Sequence, residues 1–257
     1  MTFHYRRDAV VYAPYGSIHL VLKLIAESGD DDVDIMMRRK NKLAIWFVSN
    51  CNISRARMAY ARDLTLAGLE IDGYGDCFGG RRLDAGRNAR SFHSEISKYK
   101  FYLAFENSVL CKDYITEKFW FNGLRSGAVP IVWGPTKADV LAVAPSNSFI
   151  HVDDFKSPWQ LVDYLHFLDG NDAAYRKYLE WRTWVKYPER VEERLKLKNV
   201  RNDLRSFCLL CGILQQEGKR RKLRLPATER RIKSVVDSWK DPDGMCHEKF
   251  QKYLSKA

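Results

Sequence analysis

Short apolar runs alternate with amphipathic segments through the middle of the chain. Polar or glycine residues bound these runs, and residues with helical spacing follow most of them. The pattern predicts strands over 43–48, 69–74, 101–105, 129–133 and 149–152. It predicts helices over 55–67, 92–97, 114–125, 159–168 and 173–184. Strands that are apolar throughout and alternate with helices indicate an α/β fold, with a parallel sheet covered on both faces.

The two ends of the chain are less regular. The acidic run 30–34 and the basic run 38–42 are typical of a surface connection. Beyond Tyr187 the sequence is charged, and we expect it to be mostly helical. The sequence therefore predicts a linking segment, an α/β domain and a basic tail over 1–40, 41–190 and 191–257.

The net charge favours a polyanionic partner. The 257 residues include 43 Lys and Arg against 32 Asp and Glu, a net charge of +11. Nucleic acid, an anionic membrane or a nucleotide phosphate would each suit this excess. Part of it lies in 218–233, where a solvated tail is favoured over a nucleic-acid patch because zinc-finger spacing and RNA-binding aromatic motifs are missing. No apolar run approaches the roughly 18 residues of a membrane span.

The cysteines and one sequon bear on the cellular compartment. Cys208 and Cys211 form a C-x-x-C pair, with no second pair to complete a zinc site. The pair is a redox motif, a local disulfide or two buried thiols. Asn52 begins an Asn-x-Ser sequon, a candidate N-glycosylation site if the protein is secretory.

Polar side chains cluster where the predicted strands end. Ser49 and Asn50 follow the first strand, and Glu106 and Asn107 follow the third. In open α/β sheets, ligands bind beyond the carboxyl ends of the strands. We therefore expect a binding site at this edge.

The helix after the third strand supplies charge to this edge. Asp113 is a favourable N-cap residue, with Glu117 and Lys118 in the first turns. A helix N-terminus offers free N–H groups and a positive dipole end, so together with Lys118 it predicts an anion site. Glu117 suits a ribose diol, and Arg57 could reach the same region from the first helix.

Three of these residues have structural alternatives. Arg57 could be a solvated helix arginine, with Arg55 or Arg62 as competitors for its role. Tyr114 could be a packed aromatic residue and Asn107 a loop-capping amide. From the residues alone, these alternatives stay open.

The same stretch resembles the C-terminal, donor-binding half of the α1,3-fucosyltransferases of glycosyltransferase family 10. Their signature runs F-Y-L-A-F-E-N-S, D-Y-I-T-E-K and A-V-P-V-V-x-G-P, and the matching segments here are 101–108, 113–118 and 128–135. Further matches extend the resemblance over about residues 1–212. They lie at 1–16, 46–50, 71–75, 149–155 and the pair Cys208 and Cys211.

The resemblance implies a GT-B enzyme whose Rossmann-like domain binds GDP-fucose. By motif position, the donor-binding residues would be Ser49, Asn50, Arg57, Asn107, Tyr114, Glu117 and Lys118. Arg57 and Lys118 would contact the pyrophosphate and Glu117 the ribose. Asn107 and Tyr114 would contact the nucleotide sugar. The reaction would be inverting, passing fucose in α1,3 linkage to a GlcNAc hydroxyl of a glycan or glycoprotein, with no cofactor and no essential metal.

The resemblance also implies what would complete the enzyme. In this family the general base is a carboxylate of an N-terminal acceptor domain, which we expect to be largely missing here together with the Golgi membrane anchor. No catalytic base is therefore expected in this chain, and the alternative is a GDP-fucose-binding fragment without catalytic competence. The expected setting is protein glycosylation on the lumenal side of the Golgi membrane, with no nucleic-acid partner.

Overall fold

A five-stranded parallel sheet forms the centre of the protein in the computed structural model, which describes residues 3–9, 11–52, 54–83, 90–191, 193, 211, 212, 214 and 215. The strands of the protein, in chain order, are β1 Phe3–His4, β2 Val11–Tyr12, β3 Lys42–Phe47, β4 Ile71–Tyr74, β5 Tyr99–Phe105, β6 Val129–Trp133 and β7 Ile150–His151. The central sheet has the order β4-β3-β5-β6-β7, and β1 pairs with β2 separately. The α/β class and the five predicted strands are confirmed, with strand ends shifted by one or two residues.

Helices cover both faces of this sheet. They are α1 Ile18–Ser28, α2 Val33–Arg39, α3 Arg55–Leu66, α4 Arg90–Ile96, α5 Lys137–Leu141, α6 Pro158–Asp169 and α7 Asp172–Arg176, and a π-helix spans Lys118–Arg125. One face packs α2, α3, α6 and α7, and the other packs α1, α4 and the π-helix. Because both faces are buried, every residue of β5 and β6 is buried.

Helix α1 belongs to the core of the sheet. Ser17 caps it by accepting a hydrogen bond from the backbone N–H of Leu20, and Gly29 ends it with a φ of 70°. Its buried side chains, at helical spacing, are Ile18, Val21, Leu22 and Ile25. The first 40 residues therefore contribute part of the hydrophobic core, while the predicted boundary near residue 40 stays a prediction.

The charge runs near residues 30–42 are helix ends rather than a surface connection. Asp32 caps α2 by accepting from the backbone N–H of Ile35, and Arg38 and Arg39 lie in the last turn. Acidic residues at a helix start and basic residues at its end complement the helix dipole. Much of the charge that suggested a loop thus lies at the termini of a short helix, whose Val33 side chain is buried, while Lys42 begins β3.

Two predicted helices have different bounds in the structure. The helix expected from residue 114 starts as a π-helix at Lys118, and Asp113 is not its N-cap. Asp113 has a φ of 62°, and its carboxylate accepts from Arg7. The helix predicted over 173–184 divides into α7 and a 3-10 helix, Glu180–Lys186. Further 3-10 turns are Asp76–Phe78, Val152–Asp154 and Pro188–Arg190.

A disulfide joins two neighbouring strand ends. Cys51, after β3, pairs with Cys77, after β4, with the Cα atoms 5.5 Å apart. Cys111 is also disulfide-bonded. Cys211 is free and exposed, so the candidate Cys208–Cys211 disulfide is wrong, and Cys208 itself lies outside the described residues.

Most of the predicted tail, including the basic run 218–233 and Cys246, also lies outside the described residues. Within the part of the chain that is described, no helix combines the length and apolarity needed to cross a bilayer.

The disulfide yields a stability prediction. Replacing both Cys51 and Cys77 by serine should lower the free energy of unfolding by about 3 kcal/mol, because the bond closes a loop of 26 residues in the unfolded chain. Urea denaturation measures this change. Cys211→Ser, at a free and exposed thiol, is the matched control and should change stability by less than about 0.5 kcal/mol. Equal stability of the double variant and this control would contradict the prediction.

Candidate functional site

The carboxyl ends of β3, β5 and β6 lie side by side, because these strands are neighbours in the sheet. Two glycines allow the chain to turn closely there. A Cβ on Gly75, with a φ of 101°, would lie 2.3 Å from the carbonyl oxygen of Val48. A Cβ on Gly134, with a φ of 124°, would lie 2.8 Å from Cβ of Glu106. Both positions therefore require glycine, for space and for backbone conformation.

Glu106 organises the loop that follows β5. Glu106 is 1% exposed. Its carboxylate accepts hydrogen bonds from the backbone N–H of Thr116 at 2.8 Å and from the Thr116 hydroxyl at 2.9 Å. The Lys118 ammonium donates to the same carboxylate at 3.1 Å. Burial raises the pKa of Glu106, and the contacts with Lys118 and Thr116 oppose that rise. Thr116 was not predicted to have a role, although it lies within the D-Y-I-T-E-K motif.

Lys118 and Glu117 stand at the start of the π-helix. The Lys118 ammonium lies 3.0 Å from the Thr116 hydroxyl and 3.4 Å from the Glu117 carboxylate. The Lys118 side chain is 13% exposed and that of Glu117 is 40% exposed. The sequence-predicted pair is thus at a helix start, with a cation held in place and a carboxylate open to solvent.

Arg57 is buried and tied to the ends of two strands. Its guanidinium donates to the Asn107 side-chain oxygen at 2.6 Å and to the Asn50 carbonyl at 2.5 Å. Burial lowers the pKa of Arg57. Arg55 and Arg62 are exposed, so the alternative of a solvated helix arginine describes them and not Arg57. The structure therefore brings Arg57, Asn50 and Asn107 together, as the sequence predicted.

Tyr114 lies in an aromatic cluster that sequence reasoning missed. Its ring centroid is 5.3 Å from that of Tyr5 and 5.9 Å from that of Tyr15. Burial raises the pKa of the Tyr114 hydroxyl. Tyr114 therefore packs among aromatic residues while it stays partly exposed, and the cluster also brings the N-terminal segment to this edge.

Ser49 and Asn52 lie on the exposed side of the loop after β3. The Ser49 hydroxyl accepts from the backbone N–H of Asp76 at 3.3 Å. The sequon's Ser54 is 3% exposed and caps α3 by accepting from the backbone N–H of Arg57 at 3.3 Å. Asn52 is therefore accessible to modification, while the hydroxyl of its sequon is already in use.

The arrangement is suited to a phosphorylated ligand. A lysine ammonium and a buried arginine stand at adjacent strand ends, beside an exposed carboxylate. Across the described residues, no group of three or more His, Cys, Asp and Glu side chains could hold a metal ion. Donor contacts of the individual residues stay predictions.

Comparison with known proteins identifies the family. The description "Glycosyltransferase family 10 (fucosyltransferase) C-term" matches residues 37–230. The chain is 35% identical to Glycoprotein 3-alpha-L-fucosyltransferase A of Drosophila melanogaster, over 95% of this chain and 44% of that protein. It is 37% identical to 4-galactosyl-N-acetylglucosaminide 3-alpha-L-fucosyltransferase FUT5 of Homo sapiens, over 87% of this chain and 54% of that protein.

The same identity and coverage hold for 3-galactosyl-N-acetylglucosaminide 4-alpha-L-fucosyltransferase FUT3 of Pan troglodytes, at 37%, 87% and 54%. The chain spans about half the length of the curated relatives it matches. The resemblance is thereby confirmed, and the parallel sheet is consistent with the Rossmann-like donor domain of a GT-B enzyme. This chain belongs to glycosyltransferase family 10, the fucosyltransferases.

Proposed function

We propose that this chain is the GDP-fucose-binding half of an inverting α1,3-fucosyltransferase. The observation that carries the proposal is the Lys118 ammonium, fixed 3.1 Å from the buried Glu106 carboxylate at the carboxyl edge of a family 10 sheet. Its orientation is set before a ligand arrives, so little is lost in ordering it on binding. A preorganised cation at this place suits a nucleotide diphosphate.

The two cations would stabilise the departing diphosphate. During transfer, an acceptor hydroxyl forms a bond to the anomeric carbon of β-linked fucose as the bond to GDP breaks, and negative charge builds on GDP. Lys118 and Arg57 would hold that charge more strongly in the transition state than in the bound substrate, which lowers the barrier. Because protein cations carry this charge, the proposed reaction needs no essential metal.

The remaining residues would set the identity of the donor. The exposed Glu117 carboxylate would accept hydrogen bonds from the ribose diol, and Asn107 and Tyr114 would contact the nucleotide sugar. Ser49 and Asn50 would line the same pocket. The general base that removes the proton of the GlcNAc hydroxyl would come from an acceptor-binding domain, so catalysis depends on joining the two halves.

The proposed setting is the Golgi lumen, with a glycan or glycoprotein as acceptor and no nucleic acid as partner. The Cys51–Cys77 disulfide supports this setting, since such bonds persist in oxidising compartments and are rare in the cytosol. The exposed Asn52 is then a site that glycosylation enzymes could reach.

Lys118→Ala should weaken GDP-fucose binding about 10- to 100-fold. The variant loses a charge-assisted hydrogen bond to the diphosphate, worth about 1.5–3 kcal/mol. Calorimetry of GDP-fucose and GDP with the purified full chain gives the dissociation constants. A folded wild-type chain that binds neither nucleotide would refute the proposed function.

Two further variants separate the loss of the Lys118 contact with the nucleotide from a general loss of charge and from a loss of stability. Lys137→Ala removes one charge from an exposed lysine that pairs with Asp154, and it should leave the affinity within about twofold. Because Lys118→Ala also leaves the Glu106 carboxylate buried without its cation, Lys118→Ala with Glu106→Gln tests whether restored stability rescues binding. The proposal expects affinity to stay low in that double variant.

Glu117→Ala should weaken the binding of GDP about fivefold but leave the binding of 2′,3′-dideoxy-GDP unchanged. If the carboxylate binds the ribose diol, an analogue without the diol has no such contact to lose, and one hydrogen bond is worth about 1 kcal/mol. Competition calorimetry with the two nucleotides measures the difference. Glu70→Ala, at an exposed glutamate beside the start of β4, is the control. An equal loss for both nucleotides would show that Glu117 acts elsewhere.

A further inference from the structure

Arg7 connects the N-terminal segment to two loops of the candidate site. It lies in the turn between β1 and β2. Its backbone N–H donates to the Asp113 carboxylate at 2.9 Å and its side-chain Nε donates to the same carboxylate at 2.5 Å. A further guanidinium nitrogen donates to Asp139 of α5 at 3.1 Å. One side chain thus joins the loop after β5 to the helix after β6.

Asp113 is a position that needs such a partner. Its side chain is 3% exposed, so its carboxylate is almost fully withdrawn from water. Its φ is 62° and that of Leu110, in the same loop, is 55°, a conformation that non-glycine residues rarely adopt. Backbone strain of this kind persists only where surrounding contacts hold it. Arg7 supplies two hydrogen bonds to the Asp113 carboxylate and a third to Asp139.

The residues beyond Asp113 are those assigned to the donor. Tyr114 is adjacent, and its ring packs against Tyr5, which is two residues from Arg7. Glu117 and Lys118 follow within five residues of Asp113. A displacement of Asp113 would therefore be passed directly to the side chains proposed to bind the nucleotide sugar, the ribose and the diphosphate.

We infer that Arg7 is a positioning residue for donor binding, acting through Asp113 on the loop 106–118. This inference rests on the proposed function for the identity of the ligand. Arg7 fixes the loop in its binding conformation through the two carboxylates, and the loop then presents Tyr114, Glu117 and Lys118. The N-terminal segment is accordingly part of the donor site's framework.

The test is a double-variant cycle of Arg7→Ala and Asp113→Ala, read by calorimetry of GDP-fucose with the full chain. Each single variant should weaken GDP-fucose binding at least tenfold. The double variant should bind as tightly as whichever single variant has the lower affinity. Coupling of this kind is expected when two residues act through one contact. Losses that multiply would overturn the inference, because they would show that Arg7 acts on the donor independently of Asp113.

Arg6→Ala is the matched control. Arg6 lies next to Arg7 but pairs with Asp8 inside the same turn, and its loss should change affinity less than twofold. A tenfold loss for Arg6→Ala would show that charge in this segment matters rather than the Arg7 contact. An Arg7→Ala affinity within twofold of the wild type would also overturn the inference.

Arg7→Lys keeps the charge but cannot form the same planar fork, and it serves if Arg7→Ala fails to fold. Amide hydrogen exchange of Arg7→Lys should be faster in 106–118 and unchanged in β3 and β6. Unchanged exchange in 106–118 would overturn the inference. This readout needs no ligand, so it still decides the role of Arg7 if the wild type binds no GDP-fucose and the proposed function fails.

Discussion

The candidate site depends on the hydrogen bonds that the buried Glu106 carboxylate accepts. A carboxylate can be withdrawn from water only if hydrogen bonds and a cation replace its hydration. Here those partners are Thr116 and Lys118. Their hydrogen bonds connect the end of β5 to the start of the π-helix, so the two ends of the loop between these elements are held together. The same contacts fix the Lys118 ammonium, so structural support and the proposed ligand chemistry share one set of hydrogen bonds.

Most of the sheet could be predicted because the apolar residues that mark each strand are adjacent in the sequence. Strands such as β6 are buried on both faces and therefore read as continuous apolar runs. Helix α1 was not predicted, although Ser17 precedes apolar residues at helical spacing. The start of the π-helix was not readable, because Asp113 pairs with Arg7, 106 residues away, instead of capping a helix. A local preference was overridden by a distant partner.

The site shows the same division. A contiguous motif marked Glu117 and Lys118, and the structure places them together at a helix start. The C-x-x-C pair, in contrast, left a local disulfide as one of three possibilities, whereas the structure forms a disulfide between Cys51 and Cys77 and leaves Cys211 free. That pairing follows from β4 lying beside β3, which is a property of the sheet order and not of spacing along the chain.

The Arg7–Asp113 pair also orders events in time. During synthesis Arg7 emerges 106 residues before its partner. At about 5–20 residues per second, the interval is roughly 5–20 s. Cys51 and Cys77 both emerge before Asp113, so the loop between them can close earlier, whereas the loop after β5 must wait for its own synthesis before Arg7 can dock. The edge that carries the candidate site therefore cannot be completed until β5 and the loop after it have been synthesised, which is after β3 and β4 have emerged.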